Sequence, residues 1–165
     1  MAFETISLQN TLDPNGRVFE IPRSAAEHSV VVRQLLEDFS SLEFGQSVIP
    51  ISVNVSEECL DKVFEWTTHW RDAPKAADDG AAAGNVTAVE FTPWDDQFFS
   101  NVDQDMLFEI LVATNYLDIK PLYDMACQIV ADMIRGKSTE EIRQILNIRN
   151  DFTPEHEEAR RREAL

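Results

Sequence analysis

Read as a helix, the stretch Met-Leu-Phe-Glu-Ile-Leu-Val from Met106 to Val112 is apolar almost all the way round. A helix of that kind must be covered on more than one side, so this short stretch demands a fold that surrounds it. Asp103 or Asp105 supplies the N-cap oxygen for its first turn. Asn115 and Tyr116 fall in its last turn, and Pro121 then opens a second helix for which Gly136 is the stop. Ser138 and Glu141 stand at capping-box spacing for a third helix. Thr153 and Pro154 open a fourth, "PEHEEARRREAL", whose acids precede its arginines as the macrodipole prefers. From Asp103 onward the chain reads as almost wholly helical.

The first half has another period. Ile6 and Leu8 alternate with polar residues, "DPNG" is turn chemistry, and Val18, Phe19 and Ile21 follow, which predicts a β-hairpin. Ser24 is placed to cap a short helix, and Val31, Leu35, Leu36 and Phe39 recur at helical spacing. "VIPISV" reads as a short strand that Pro50 confines to a sheet edge. Ser56 caps a helix with Glu57 and Glu58 in its first turn and a stripe of Leu60, Val63, Phe64 and Thr67. Residues 71–92 are rich in Ala, Gly and Asp and have little to bury, so they read as a flexible insertion, after which "WDDQFF" forms a short amphipathic turn. Together these make an α/β (α+β) domain followed by a run of helices.

Thirty acidic against fourteen basic residues give a formal charge of −16. Such a surface repels phosphate and argues against nucleic acid and anionic membrane as partners. No apolar run approaches the roughly 20 residues that span a bilayer, and "MAFETISLQN" lacks the basic-then-apolar layout of a signal peptide. The expectation is a cytoplasmic and nuclear protein, in which Cys59 and Cys127 are buried thiols rather than a disulfide. None of the five glycines builds a phosphate-cradling loop, and there is no Gly-x-Ser-x-Gly elbow. His28, His69 and His156 lie in separate elements, and neither cysteine stands at zinc-ligand spacing from another thiol or imidazole. The chain therefore reads as a non-enzyme with no cofactor and no metal.

"VDQDMLFEILVATNYLDIKPL", "MIRGKSTEEIRQILNIRNDFT", "QLLEDF" and "WDDQFF" closely resemble the S-phase kinase-associated protein 1 family. The likeness covers nearly the whole chain and is densest over residues 93–158. The elongin C relatives lack the helices that carry "NIRNDFT". At the end, the family's "EN-x-W"-like segment has no counterpart in "RRREAL". The resemblance implies a BTB/POZ fold over 1–120, containing the insertion at 71–92, and a helical F-box-binding extension over 121–165. It implies a non-catalytic adaptor of an SCF-type ubiquitin ligase that bridges a cullin amino-terminal domain to F-box proteins. A BTB-type scaffold acting outside a ligase is the alternative.

Two faces follow. Taken by themselves, Asn115 and Tyr116 admit two readings: Asn115 closing the carbonyls at the helix end while Tyr116 half-buries its ring, or a polar pair shown to a partner. The resemblance implies that the pair lies on the cullin side. Val130 and Ile134 share one stripe, Ile142 and Ile145 another, and Ile148 and Phe152 continue beyond it. For Ile142 and Ile145, completing a monomeric core and meeting a partner are both open readings, whereas Ile148 and Phe152, outside a firm helix, read as part of an apolar patch that marks a partner site. The resemblance implies that Val130, Ile134, Ile142, Ile145, Ile148, Asn150 and Phe152 meet the F-box. Uncovered apolar surface also predicts a weak homodimer of the free protein.

Overall fold

The computed structural model describes residues 4–12, 16–40, 48–73, 90–149 and 162. Asn150, Phe152, the expected fourth helix and residues 74–89 of the insertion lie outside the described residues.

Strands β1 (Thr5–Asn10) and β2 (Val18–Pro22) form the expected antiparallel hairpin, and β3 (Ile49–Ile51) joins β1 in parallel, giving the order β2-β1-β3. The register sets Leu8 opposite Phe19 on one side and Ile49 on the other, and all three are buried. This alternation turns one sheet face to the core. Pro50 lies in β3, an edge strand, where a residue without an N–H is tolerated.

Helix α1 (Arg23–Ala26) begins at Pro22 with no side-chain cap, so Ser24 lies inside the helix rather than before it. The serine that matters is Ser29, whose hydroxyl accepts the Val32 N–H at 3.1 Å at the start of α2 (Val30–Ser40) and donates to the Leu117 carbonyl. With that register Val32, at 1% exposure, is the buried residue and Val31 only half-buried.

Helix α3 (Glu57–His69) is capped by Ser56, which accepts the Cys59 N–H. Leu60, Val63, Phe64 and Thr67 are buried as the spacing requires, joined by Cys59 and Trp66. Next, "WDDQFF" is a full helix, α4 (Pro93–Ser100), closed by a capping box between Thr92 and Asp95. The flexible reading therefore does not extend to Thr92.

Helix α5 (Gln104–Leu117) is capped by Asp103 and packs against α3 and α2. It buries Leu107, Ile110, Ala113, Thr114 and Leu117. Burying side chains of this size contributes about 1.5–3 kcal/mol each for the larger ones. The cover is not complete, however, because Val112 remains 51% exposed. Helix α6 (Lys120–Ile134) buries Leu122, Met125 and Ala126 in its first turns. Gly136 follows it at φ +71, a left-handed position that stops a helix without a Cβ penalty. Helix α7 (Thr139–Ile145) carries the expected Ser138–Glu141 capping box and has no buried residue.

By its contacts the chain divides into a unit of residues 1–128 and a unit of residues 129–165, with the division inside α6. The sequence reading sets its boundary earlier, at Pro121.

Candidate functional site

The end of α5 is closed by backbone, not by Asn115. Asp118 takes a left-handed conformation at φ 51, its N–H returns to the Thr114 carbonyl, and Ile119 N–H does the same at 3.0 Å. The Leu117 carbonyl accepts the Ser29 hydroxyl, and the Asp118 carbonyl accepts Val30 N–H at 3.3 Å. Asn115 is thus free of the capping task and points from an exposed position. It borders an open concavity of about 200 Å³ with Thr114, Asp118, Lys120, Tyr123 and Asp124.

Tyr116 is 38% exposed, and its hydroxyl has an internal partner: it accepts the Ser52 N–H at 2.9 Å. The hydroxyl is thus engaged within the chain, while part of the side chain stays exposed. One and two turns earlier on the same stripe, at i, i+3 and i+7 counted from Glu109, lie Val112 and the carboxyl of Glu109. Glu109 Oε2 accepts the Ser56 N–H at 3.0 Å and the Ser56 hydroxyl. The sequence reading took Val112 as part of a helix to be covered and did not single out Glu109. The available signal was the stripe they share with Tyr116, exposed at Val112 and Tyr116 and half-buried at Glu109, masked because the helix looked apolar on every side.

In the second unit, Val130, Ile134, Ile142 and Ile145 are each only half-buried, and Ile148 is 54% exposed. Asn147, just before it, takes φ 51, and Ile148 N–H closes back on the Arg143 carbonyl at 2.8 Å. The turn after α7 is thus specified while its apolar side chain is left outside.

The polar clusters elsewhere have structural partners. Asp95 is fully buried, and its Oδ1 accepts both the Trp66 and Trp70 indole N–H groups at 3.1 Å. Its Oδ2 accepts Thr92 N–H at 3.0 Å and the Thr92 hydroxyl at 2.7 Å. His28 donates from Nε2 to the Trp70 carbonyl at 2.7 Å, and His69 stacks on Trp94 with ring centroids 3.7 Å apart. Burial pushes the Cys59 thiol up to about 12, with Glu109 adding in the same direction. Among the described residues, no group of three or more His, Cys, Asp or Glu side chains is placed to hold a metal ion.

Two family models match the chain: "Skp1 family, tetramerisation domain" over residues 13–72 and "Skp1 family, dimerisation domain" over residues 120–164. A small sheet with flanking helices, matched by a POZ-type model and followed by a helical region, defines a BTB/POZ-fold protein. The similarity to full-length relatives is equally direct. "E3 ubiquitin ligase complex SCF subunit sconC" of Emericella nidulans is 50% identical over 150 residues, covering 90% of this chain and 89% of the relative. The proteins of the same name from Talaromyces marneffei and Aspergillus terreus are 46% and 49% identical, covering 96% and 90% of this chain and 96% and 89% of the relatives. The chain belongs to the Skp1 family.

Proposed function

We propose that this protein is the non-catalytic adaptor of an SCF-type E3 ubiquitin ligase, joining a cullin amino-terminal domain to F-box proteins that select substrates. The observation that carries the reading is the unburied apolar set on α6, α7 and the turn after α7: Val130, Ile134, Ile142, Ile145 and Ile148 are all half-buried or exposed. A monomer with a finished core has no use for such a surface, and a helical partner does. The relatives' name, an SCF subunit, supplies the class of assembly. In this reading Asn115 and Tyr116 face the cullin, and the five apolar residues, continued by Asn150 and Phe152, face the F-box.

Titration with a cullin amino-terminal domain and with an F-box fragment tests it. The wild-type chain binds both at once. Asn115→Lys combined with Tyr116→Lys lowers cullin affinity by on the order of a few kcal/mol, since two ammonium groups enter the contact, and leaves F-box binding intact. A chain that binds neither partner sinks the adaptor role, and one that only self-associates belongs to the scaffold alternative.

A further inference from the structure

The connection between β3 and α3 is short, lies at a sheet edge, and is nevertheless tied down along its length. At one end, Ser52 N–H donates to the Tyr116 hydroxyl at 2.9 Å. In the middle, Asn10 holds Val53 from both sides: its amide donates to the Val53 carbonyl at 2.8 Å and its Oδ1 accepts Val53 N–H at 3.3 Å. At the other end, Glu109 accepts the Ser56 N–H at 3.0 Å together with the Ser56 hydroxyl. Val53 is 2% exposed, so the middle anchor belongs to the core. The two outer ties are different. Both come from one stripe of α5, both are on the surface, and between them on that stripe stands Val112, 51% exposed.

Surface hydrogen bonds of this kind are open to competition from water and add little to global stability. Their effect is on shape. Holding Ser52 and Ser56 against α5 joins an edge connection and a helix face into one surface, whose ordering is then complete before any partner arrives. We propose that Tyr116 and Glu109 are positioning residues of the cullin-facing surface, stapling residues 52–56 to α5 so that loop and helix dock as a single face around Val112. The inference rests on the reading of the α5 face as the cullin side and adds to it two roles: Tyr116 acts through its hydroxyl on the loop as well as through its ring, and Glu109 acts through Ser56 rather than through its charge.

The test combines titration against a cullin amino-terminal domain with native-state hydrogen exchange at the Ser52 and Ser56 amides. Tyr116→Phe keeps the ring and removes the acceptor for Ser52. Glu109→Ala removes the acceptor for Ser56, whereas the amide oxygen of Glu109→Gln still accepts from it. The expected result is faster exchange at Ser52 in the first variant and at Ser56 in the second, each with cullin affinity lowered by about three- to ten-fold and F-box affinity unchanged. Glu109→Gln restores both exchange and affinity. An equal loss in Glu109→Gln and Glu109→Ala means that the charge itself meets the cullin, which overturns the positioning role. So does unchanged exchange, or faster exchange with unchanged affinity. The underlying reading fails in a different way: Val112→Lys and the Asn115→Lys, Tyr116→Lys pair then bind cullin as well as wild type, and the staple loses its partner with it.

Discussion

Asp95 shows how much one side chain can organise. Its two oxygens accept four hydrogen bonds from Trp66, Trp70 and Thr92, in a position with no exposure to solvent. Removing the carboxyl leaves four donors short of a partner, so Asp95→Ala is expected to cost about 3 kcal/mol or more. A urea unfolding series reads this as a lower midpoint, and a shift below about 1 kcal/mol would show that water takes over the network. In the sequence Asp95 is visible only as a first-turn acid three residues after Thr92. Nothing local says that two indoles from a helix more than twenty positions earlier converge on it, because burial is a property of the packed chain. The cysteines give a second test at this scale. Cys59 is fully buried with its thiol pushed up to about 12, whereas Cys127 is half-exposed. Thiolate is the reactive form, so at pH 8 a maleimide labels Cys127 first and Cys59 only on unfolding. Mass spectrometry of the native and denatured protein checks the order. Prompt labelling of Cys59 in the native state would mean that α3 opens readily.

Elements were legible where a cap and a period agreed. Ser56 with its two following glutamates, Asp103, and the Ser138–Glu141 box each start a helix where the sequence sets one. "WDDQFF" was read too short because the capping signal sits just before it, in Thr92–Pro93–Trp94–Asp95, inside a stretch whose composition suggested disorder. Ser24 looked like a cap, but the fold uses Ser29, and that choice rests on the distant Leu117 carbonyl, which no local pattern reveals. The α7 cap carries a pH prediction. Hydrogen bonds from Ser138 hold the Glu141 carboxyl below its ordinary value. A carboxyl whose folded pKa is lowered supports the helix fully above its unfolded value and withdraws that support as pH falls through the lowered one. The helical population of residues 139–145 should therefore decline at acidic pH, below the usual glutamate range. Amide exchange over α7 measures it, and Glu141→Gln, which still accepts the Ser138 N–H but cannot titrate, should abolish the dependence. A flat profile in the wild-type protein would remove the cap from the account of this helix.

Over the whole molecule, stability is unevenly distributed. Among the described residues, none beyond Ala126 is buried, and α7 has no buried residue at all. Short helices depend on packing for most of their stability. Residues 129–149 of the free protein should thus exchange amide hydrogens through low-cost local opening, while the unit that ends at 128 exchanges only in larger openings. An F-box fragment should slow exchange over 129–149 and leave the rest unchanged. Slow exchange there without the fragment would mean that the apolar set completes the monomer and that the F-box face has been misplaced. The sequence could show the apolar stripes of this region. It could not show that they stay uncovered, since Val130 and Ile142 have the same spacing whether a core or a partner meets them. The order in which the two parts occur along the chain also has a consequence for synthesis. Domains close from the amino-terminal side as the ribosome releases them. Every described residue needed for the buried core has been translated once Ala126 has been added. The nascent chain can therefore close its first unit, with the first turns of α6 included, before the uncovered apolar positions from Val130 to Ile148 have all been released.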